Sequence, residues 1–180
     1  MITSSDAVLA FWREAGPDKW FTKDTAFDDA IKSRFLAIYE AAAAGQITDW
    51  ERTAEGALAL VIVLDQFPRN MFRSDARTYA ADPLARAIAE RAITRGFDRQ
   101  VPADNQQFFY LPFEHSESLT DQERCCALFA TTGDANLLKW AQLHADIIRR
   151  FGRFPHRNAV LGRATTAEEQ AFLDSDGFKG

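Results

Sequence analysis

Four arginines and a histidine fall within the fourteen positions of RFGRFPHRNAVLGR, residues 150–163 of a 180-residue chain whose net charge is -5. Guanidinium groups are planar forks that match carboxylates and phosphates, and a helix start adds unpaired amide hydrogens and the positive end of a dipole. The pattern predicts a helix ending at Gly152, a turn at Phe154 and Pro155, and a short helix opened by Pro155. Arg153, His156, Arg157 and Asn158 are thus candidate anion ligands. Arg149, Arg150 and Arg153 also have a plainer role, because cations near a helix C-terminus complement its dipole by about 0.3–1 kcal/mol each. His156, Arg157 and Asn158 lie past that helix end, where the dipole no longer accounts for them.

Two further stretches place polar groups beside prolines. In LDQFPRN, residues 64–70, Pro68 lacks an amide hydrogen and disfavours helical geometry at Phe67, so the helix should stop or kink there. Asp65, Gln66, Arg69 and Asn70 then sit at the mouth of a very apolar element. An Asp65 to Arg69 pair, four residues apart, would pin the kink; ligand binding is the alternative. In FYLPFEHSE, residues 109–117, Glu114, His115 and Glu117 follow the interruption at Pro112. A carboxylate beside an imidazole can exchange protons or join a metal site, which makes Glu114, His115 and His156 the candidate catalytic residues. Their spacing is not a ligand signature, and no serine elbow, phosphate loop, dinucleotide fingerprint or zinc motif is present. No metal site and no cofactor are assigned. His144 falls on an apolar helix face and reads as a hydrogen-bonded core group.

Helical punctuation recurs throughout and alternating strand patterns bounded by hairpin turns are hard to find, so the chain reads as all-α. One helix spans about Ser5 to Ala15 and ends at Gly16-Pro17. A second spans about Thr25 to Ala44, with Phe27, Ile31, Phe35 and Ile38 inward. Thr48 and Glu51 have capping-box spacing, and the helix they should open carries the apolar run 57–64, which predicts a central rod covered on most sides. Asp82 before Pro83 reads as an N-cap. Thr120 with Glu123, Asp134, and Thr165 with Glu168 mark three more starts. The sum is about eight or nine helices with short connections, an irregular stack in a single domain over 1–180.

Composition limits the partners. A net charge of -5 repels phosphate backbones and anionic membranes, so neither nucleic acid nor membrane is expected. The apolar run at 57–64 is far too short to span a bilayer. The two cysteines, Cys125 and Cys126, are adjacent and cannot form a stabilising framework. The N-terminal residues lack the pattern of a secretion signal. The expected location is cytoplasmic.

LDQFPRN at 64–70, YLPFEHSE at 110–117, DQER at 121–124 and RFGRFPHRN at 150–158 are four blocks in order, with KWF at 19–21 ahead of them. Together they resemble the bacterial family called domain of unknown function 924. The resemblance covers nearly the whole chain. It implies a helical fold similar to tetratricopeptide-repeat (TPR) proteins without clear sequence repeats, and it supplies no established activity. The positions it carries over are Asp65, Gln66, Arg69, Asn70, Glu114, His115, Arg153, His156, Arg157 and Asn158. One departure is Arg13 in FWRE, where the family pattern has glycine, which bears on the end of the first helix.

Because the three polar clusters each sit at a helix break, the leading expectation is a polar pocket for a small anionic ligand such as a phosphorylated or carboxylated metabolite. Asp65 and Glu114 would orient its arginines. The alternatives are an enzyme using Glu and His as acid and base, including a metal-dependent hydrolase, and a TPR-like module that binds a protein partner, with Trp20, Phe21 and Trp50 as contact aromatics.

Overall fold

A computed structural model describes residues 4–175, and these form helices and turns with no strand among them. The helices are α1 (Ser5–Ala15), α2 (Pro17–Trp20), α3 (Thr25–Ala43), α4 (Ala54–Val61), α5 (Phe67–Met71), α6 (Asp82–Thr94), α7 (Ala103–Glu114), α8 (Leu119–Ala130), α9 (Ala135–Phe151) and α10 (Ala167–Asp174). Only α2 and α5 are shorter than two turns, with four and five residues, so the expected number of full helices is met. The chain divides into two compact units, Met1–Pro112 and Phe113–Gly180.

In the first unit α4 is the central rod. Every residue from Gly56 to Pro68 is buried, as the unbroken apolar run requires. Its start differs from the expected one. Thr53 is the N-cap, its hydroxyl accepting from the Gly56 amide at 3.1 Å, while Thr48 precedes only a 3-10 turn and makes no side-chain cap. Glu51 is diverted to a bidentate pair with Arg91 at 2.8 and 2.9 Å. The chain enters so tightly that a β-carbon on residue 56 would lie 2.2 Å from the Trp50 carbonyl oxygen, and only glycine fits.

The far end of the rod corrects a second expectation. Phe67 keeps helical angles (φ -58°, ψ -38°), and α4 runs into α5 through a π-helical turn, Ile62–Gln66, closed by the Phe67 amide donating to the Ile62 carbonyl. Pro68 lacks the amide that an α-helix would use there, and the wider turn lets the rod continue without it. Around the rod, Trp12 of α1 packs against Trp20, Phe27, Phe67 and Phe108 at centroid distances of 5.5–6.1 Å. The Trp20 indole donates to the Trp12 carbonyl at 2.7 Å. Of the contact aromatics named above, Phe21 is exposed, Trp50 half-buried and Trp20 buried. α1 continues through Arg13 to Ala15, so the departure from the family pattern does not shorten it; Arg13 donates to Asn105 and Glu55. Ala81, not Asp82, is the N-cap of α6, because Asp82 is needed elsewhere.

In the second unit α8 and α9 pack along one another. Ser118 caps α8, two residues ahead of the expected Thr120, and Asp134 caps α9 as expected. Gly152 ends α9 at φ 69°, a left-handed conformation that favours glycine. A 3-10 turn, Pro155–Arg157, follows. α10 opens with a capping box of Thr166 and Glu169, one residue beyond the expected pair. Ile147, Ile148 and Phe154 form an apolar cluster, with Phe151 and Phe172 packed against them.

Candidate functional site

The expected ligand residues fall in both units. Asp65, Gln66, Arg69 and Asn70 belong to the first. Asp65 is fully buried, and its Oδ2 accepts from Gln66 Nε2 at 2.6 Å. Arg69 donates to the Asp65 carbonyl, lies 3.5 Å from Asp65 Oδ1, and grips both oxygens of Asp82 at 3.0 Å. Burial acts to lower the Arg69 pKa, but Asp65 and Asp82 outweigh it and raise the pKa, so the guanidinium stays charged. Asn70 donates to Asp28 at 2.7 Å, and Arg73 holds the same carboxylate. The predicted Asp65 to Arg69 pair is therefore present, with Asp82 as a second carboxylate that the sequence assigns to a helix start.

The other six lie in the second unit and divide into two groups. Arg153 and Asn158 belong to a chain of ion pairs that fixes the turn after α9. Arg153 holds both oxygens of Glu169, at 2.6 and 2.9 Å, and donates to the Ala164 carbonyl. Asn158 donates to Glu169 at 3.2 Å and accepts from Arg163 at 3.0 Å. Arg163 completes the chain with a bidentate pair to Glu117, at 2.7 and 2.9 Å, and Glu117 also accepts from the Phe154 amide at 2.8 Å. Hydrogen bonds from Arg153 and from the Thr166 amide pull the Glu169 pKa down to about 2. Burial would raise the Glu117 pKa, yet Arg163 and the Phe154 amide lower it. The arginine-rich stretch thus gathers around its turn because it is answered by carboxylates: Glu168 for Arg150, Glu169 for Arg153 and Glu117 for Arg163.

The second group is Glu114, His115, His156 and Arg157, linked to one another through Phe154 and His144. Arg157 is buried; it donates to the His115 carbonyl at 3.0 Å, and its guanidinium lies over the Phe154 ring, 4.4 Å from the centroid. His144 and His156 both pack on Phe154, at centroid distances of 5.7 and 5.6 Å. All three histidines of the chain are therefore in one cluster. His144 Nδ1 is 2.9 Å from the Trp140 carbonyl, which can only accept, so the proton sits on Nδ1. The same nitrogen is 3.5 Å from Glu114 Oε1. Burial dominates its titration and, with the nearby His115 and Arg157, pushes the His144 pKa down to about 4, so at neutral pH the ring is neutral.

Sequence reasoning left Gln122 unassigned, yet it positions the cluster. Its Nε2 donates to the carbonyls of Glu114 and Ser116 at 2.6 and 2.7 Å, fixing the link between α7 and α8, while its buried Oε1 has no hydrogen-bond partner. The available signal was a polar residue in the inward series Gln122, Cys125 and Phe129. Burial and the neighbouring Glu114 raise the Cys125 and Cys126 pKa values, so neither thiol offers a thiolate. Among the described residues no group of three or more His, Cys, Asp or Glu side chains is arranged to hold a metal, which leaves the metal-dependent alternative without a ligand set there.

Over the described residues, fold and cluster define an all-helical protein with a group of polar side chains beside Phe154. The family model for bacterial proteins of unknown function, DUF924, matches residues 8–177, and the chain belongs to that family. A solved structure of a protein of unknown function from Agrobacterium tumefaciens is 48% identical and superposes with a TM-score of 0.92, covering 95% of this chain and 97% of the other. No curated protein matches the chain. Among the described residues no helix is long and apolar enough to cross a membrane.

Proposed function

We propose that the chain is a cytoplasmic binding protein that recognises a small anion through the histidine cluster of its second unit. One observation carries the reading: His144, His156 and the buried cation Arg157 pack on a single aromatic ring, Phe154, with Glu114 3.5 Å from His144 and the His115 carbonyl held by Arg157. A core needs none of these groups. His115 and His156 are half-buried, so they supply polar edges within reach of solvent, while Arg157 supplies charge and a planar fork. Arg69, Arg153 and Asn158 drop out of the recognition set in this reading, since carboxylates already engage them. Packing of α8 along α9 supports a TPR-like arrangement, and two free thiols suit a reducing compartment.

Calorimetric titration with inorganic phosphate and a series of small di- and tricarboxylates tests the proposal. At least one should bind, and His156→Ala, a change at a half-buried position, should weaken binding at least about tenfold, which is the loss of one charge-assisted hydrogen bond. Arg157→Lys should do the same while retaining the charge. The reading is overturned if no anion binds, or if both variants fold and bind as tightly as the parent. Acid–base chemistry is the second reading, favoured by the Glu114 approach to His144; turnover of a bound anion that Glu114→Gln abolishes without loss of binding would select it.

A further inference from the structure

The apolar stripe of α9 is longer than its own unit covers. Ile147 and Ile148 are buried and Phe151 packs on Phe172, but Trp140 and Leu143, one turn apart, remain 47% and 40% exposed. Apolar area left in water forgoes roughly 25 cal/mol per Å². On the solvent side of Leu143 lie two exposed residues of opposite sign, Lys139 and Asp146. The Lys139 side chain makes no hydrogen bond or ion pair with any described residue. Asp146 pairs with Arg149 at 2.5 Å, a solvent-exposed pair one turn away that contributes little and exchanges readily.

We propose that this face of α9 is a two-fold interface with a second copy of the same chain, the two helices packed antiparallel about Leu143. The charge pattern selects that occupant. Residues seven apart return to the same side of a helix, so Lys139 and Asp146 flank Leu143 on one edge. A two-fold axis passing midway between them sets each Lys139 opposite Asp146 of the other copy, forming two ion pairs along that edge. Trp140 and Leu143 of both copies close the middle. An isologous interface must be self-complementary, and a lysine and an aspartate at heptad spacing satisfy this with no other chain involved; two like charges at these positions would repel.

Sedimentation velocity on the full chain over a concentration series tests the proposal, with circular dichroism to verify that each surface variant folds. The parent should show a concentration-dependent mass approaching two chains, and Leu143→Glu should abolish it. Lys139→Glu and Asp146→Lys should each weaken self-association about tenfold or more, and the double reversal should restore it to near the parent level. A parent that is monomeric at every concentration overturns the proposal. So does a dimer that survives Leu143→Glu, or a double reversal no tighter than either single change. The result is independent of anion binding by the histidine cluster.

Discussion

His144 links proton uptake to the stability of the second unit. Burial holds its folded pKa at about 4 against an ordinary 6.5, so as the pH falls the unfolded chain takes up this proton first. The stabilisation from keeping the ring neutral is fully present above 6.5, declines as the pH drops from 6.5 towards 4, and is exhausted below. Between about pH 7.5 and about pH 4.5 the linkage relation gives a loss of about 2.5 kcal/mol, or a fall of roughly 5–10 °C in Tm for a chain of this size. Carboxylates elsewhere titrate as well, so the measurement is a difference between two proteins. His144→Gln retains a neutral donor for the Trp140 carbonyl and has no proton to gain. Urea denaturation of parent and variant at both pH values should show their stability gap narrowing, or reversing, by about that amount on acidification. A gap that does not change with pH would refute the reasoning, as would a nuclear magnetic resonance titration of folded His144 near 6.5.

Other substitutions report on single contacts. Gly56→Ala should lower stability by about 1–3 kcal/mol in chemical denaturation, although alanine is the better helix former, because the Trp50 carbonyl blocks a β-carbon and belongs to the backbone; a more stable variant would refute the close approach. Arg69→Met leaves Asp65 and Asp82 without their cation and should cost roughly 3–5 kcal/mol by the same assay, whereas a loss below about 1 kcal/mol would mark the pair as surface-like. Glu169→Gln removes the carboxylate shared by Arg153, Asn158 and the Thr166 amide, and should speed hydrogen exchange across α10 while leaving α8 and α9 protected; unchanged exchange in α10 would separate its stability from the ion-pair chain.

Where a boundary depends on groups only a few residues apart, it was legible in the sequence. α1 begins at Ser5 and ends before Gly16, and α9 begins after Asp134 and ends at Gly152, because cap, first turn and left-handed glycine are all local. Three of the misplaced helix starts share one cause. A threonine with glutamate three residues on occurs twice in adjacent registers at 165–169, and the choice between them belongs to Arg153 and Asn158, which bind Glu169 from more than ten residues away. Glu51 and Asp82 carry local signals for helix starts, yet Arg91 and Arg69 claim them, because a bidentate guanidinium–carboxylate pair outweighs a cap worth about 1 kcal/mol.

The same competition sets what could be known of the candidate site. Residue type marked Arg69, Arg153 and Arg157 as chemically capable, but type cannot say whether the answering carboxylate comes from a ligand or from the chain. Arg69 and Arg153 prove to have carboxylates of the chain, so their charge is explained by folding. Arg157 meets a carbonyl oxygen and an aromatic face, and His144 and His156 pack on the same ring, which sets the surroundings of Phe154 apart from the other two clusters. That difference is why substitutions at His156 and Arg157, beside the shared ring, decide whether the chain binds an anion.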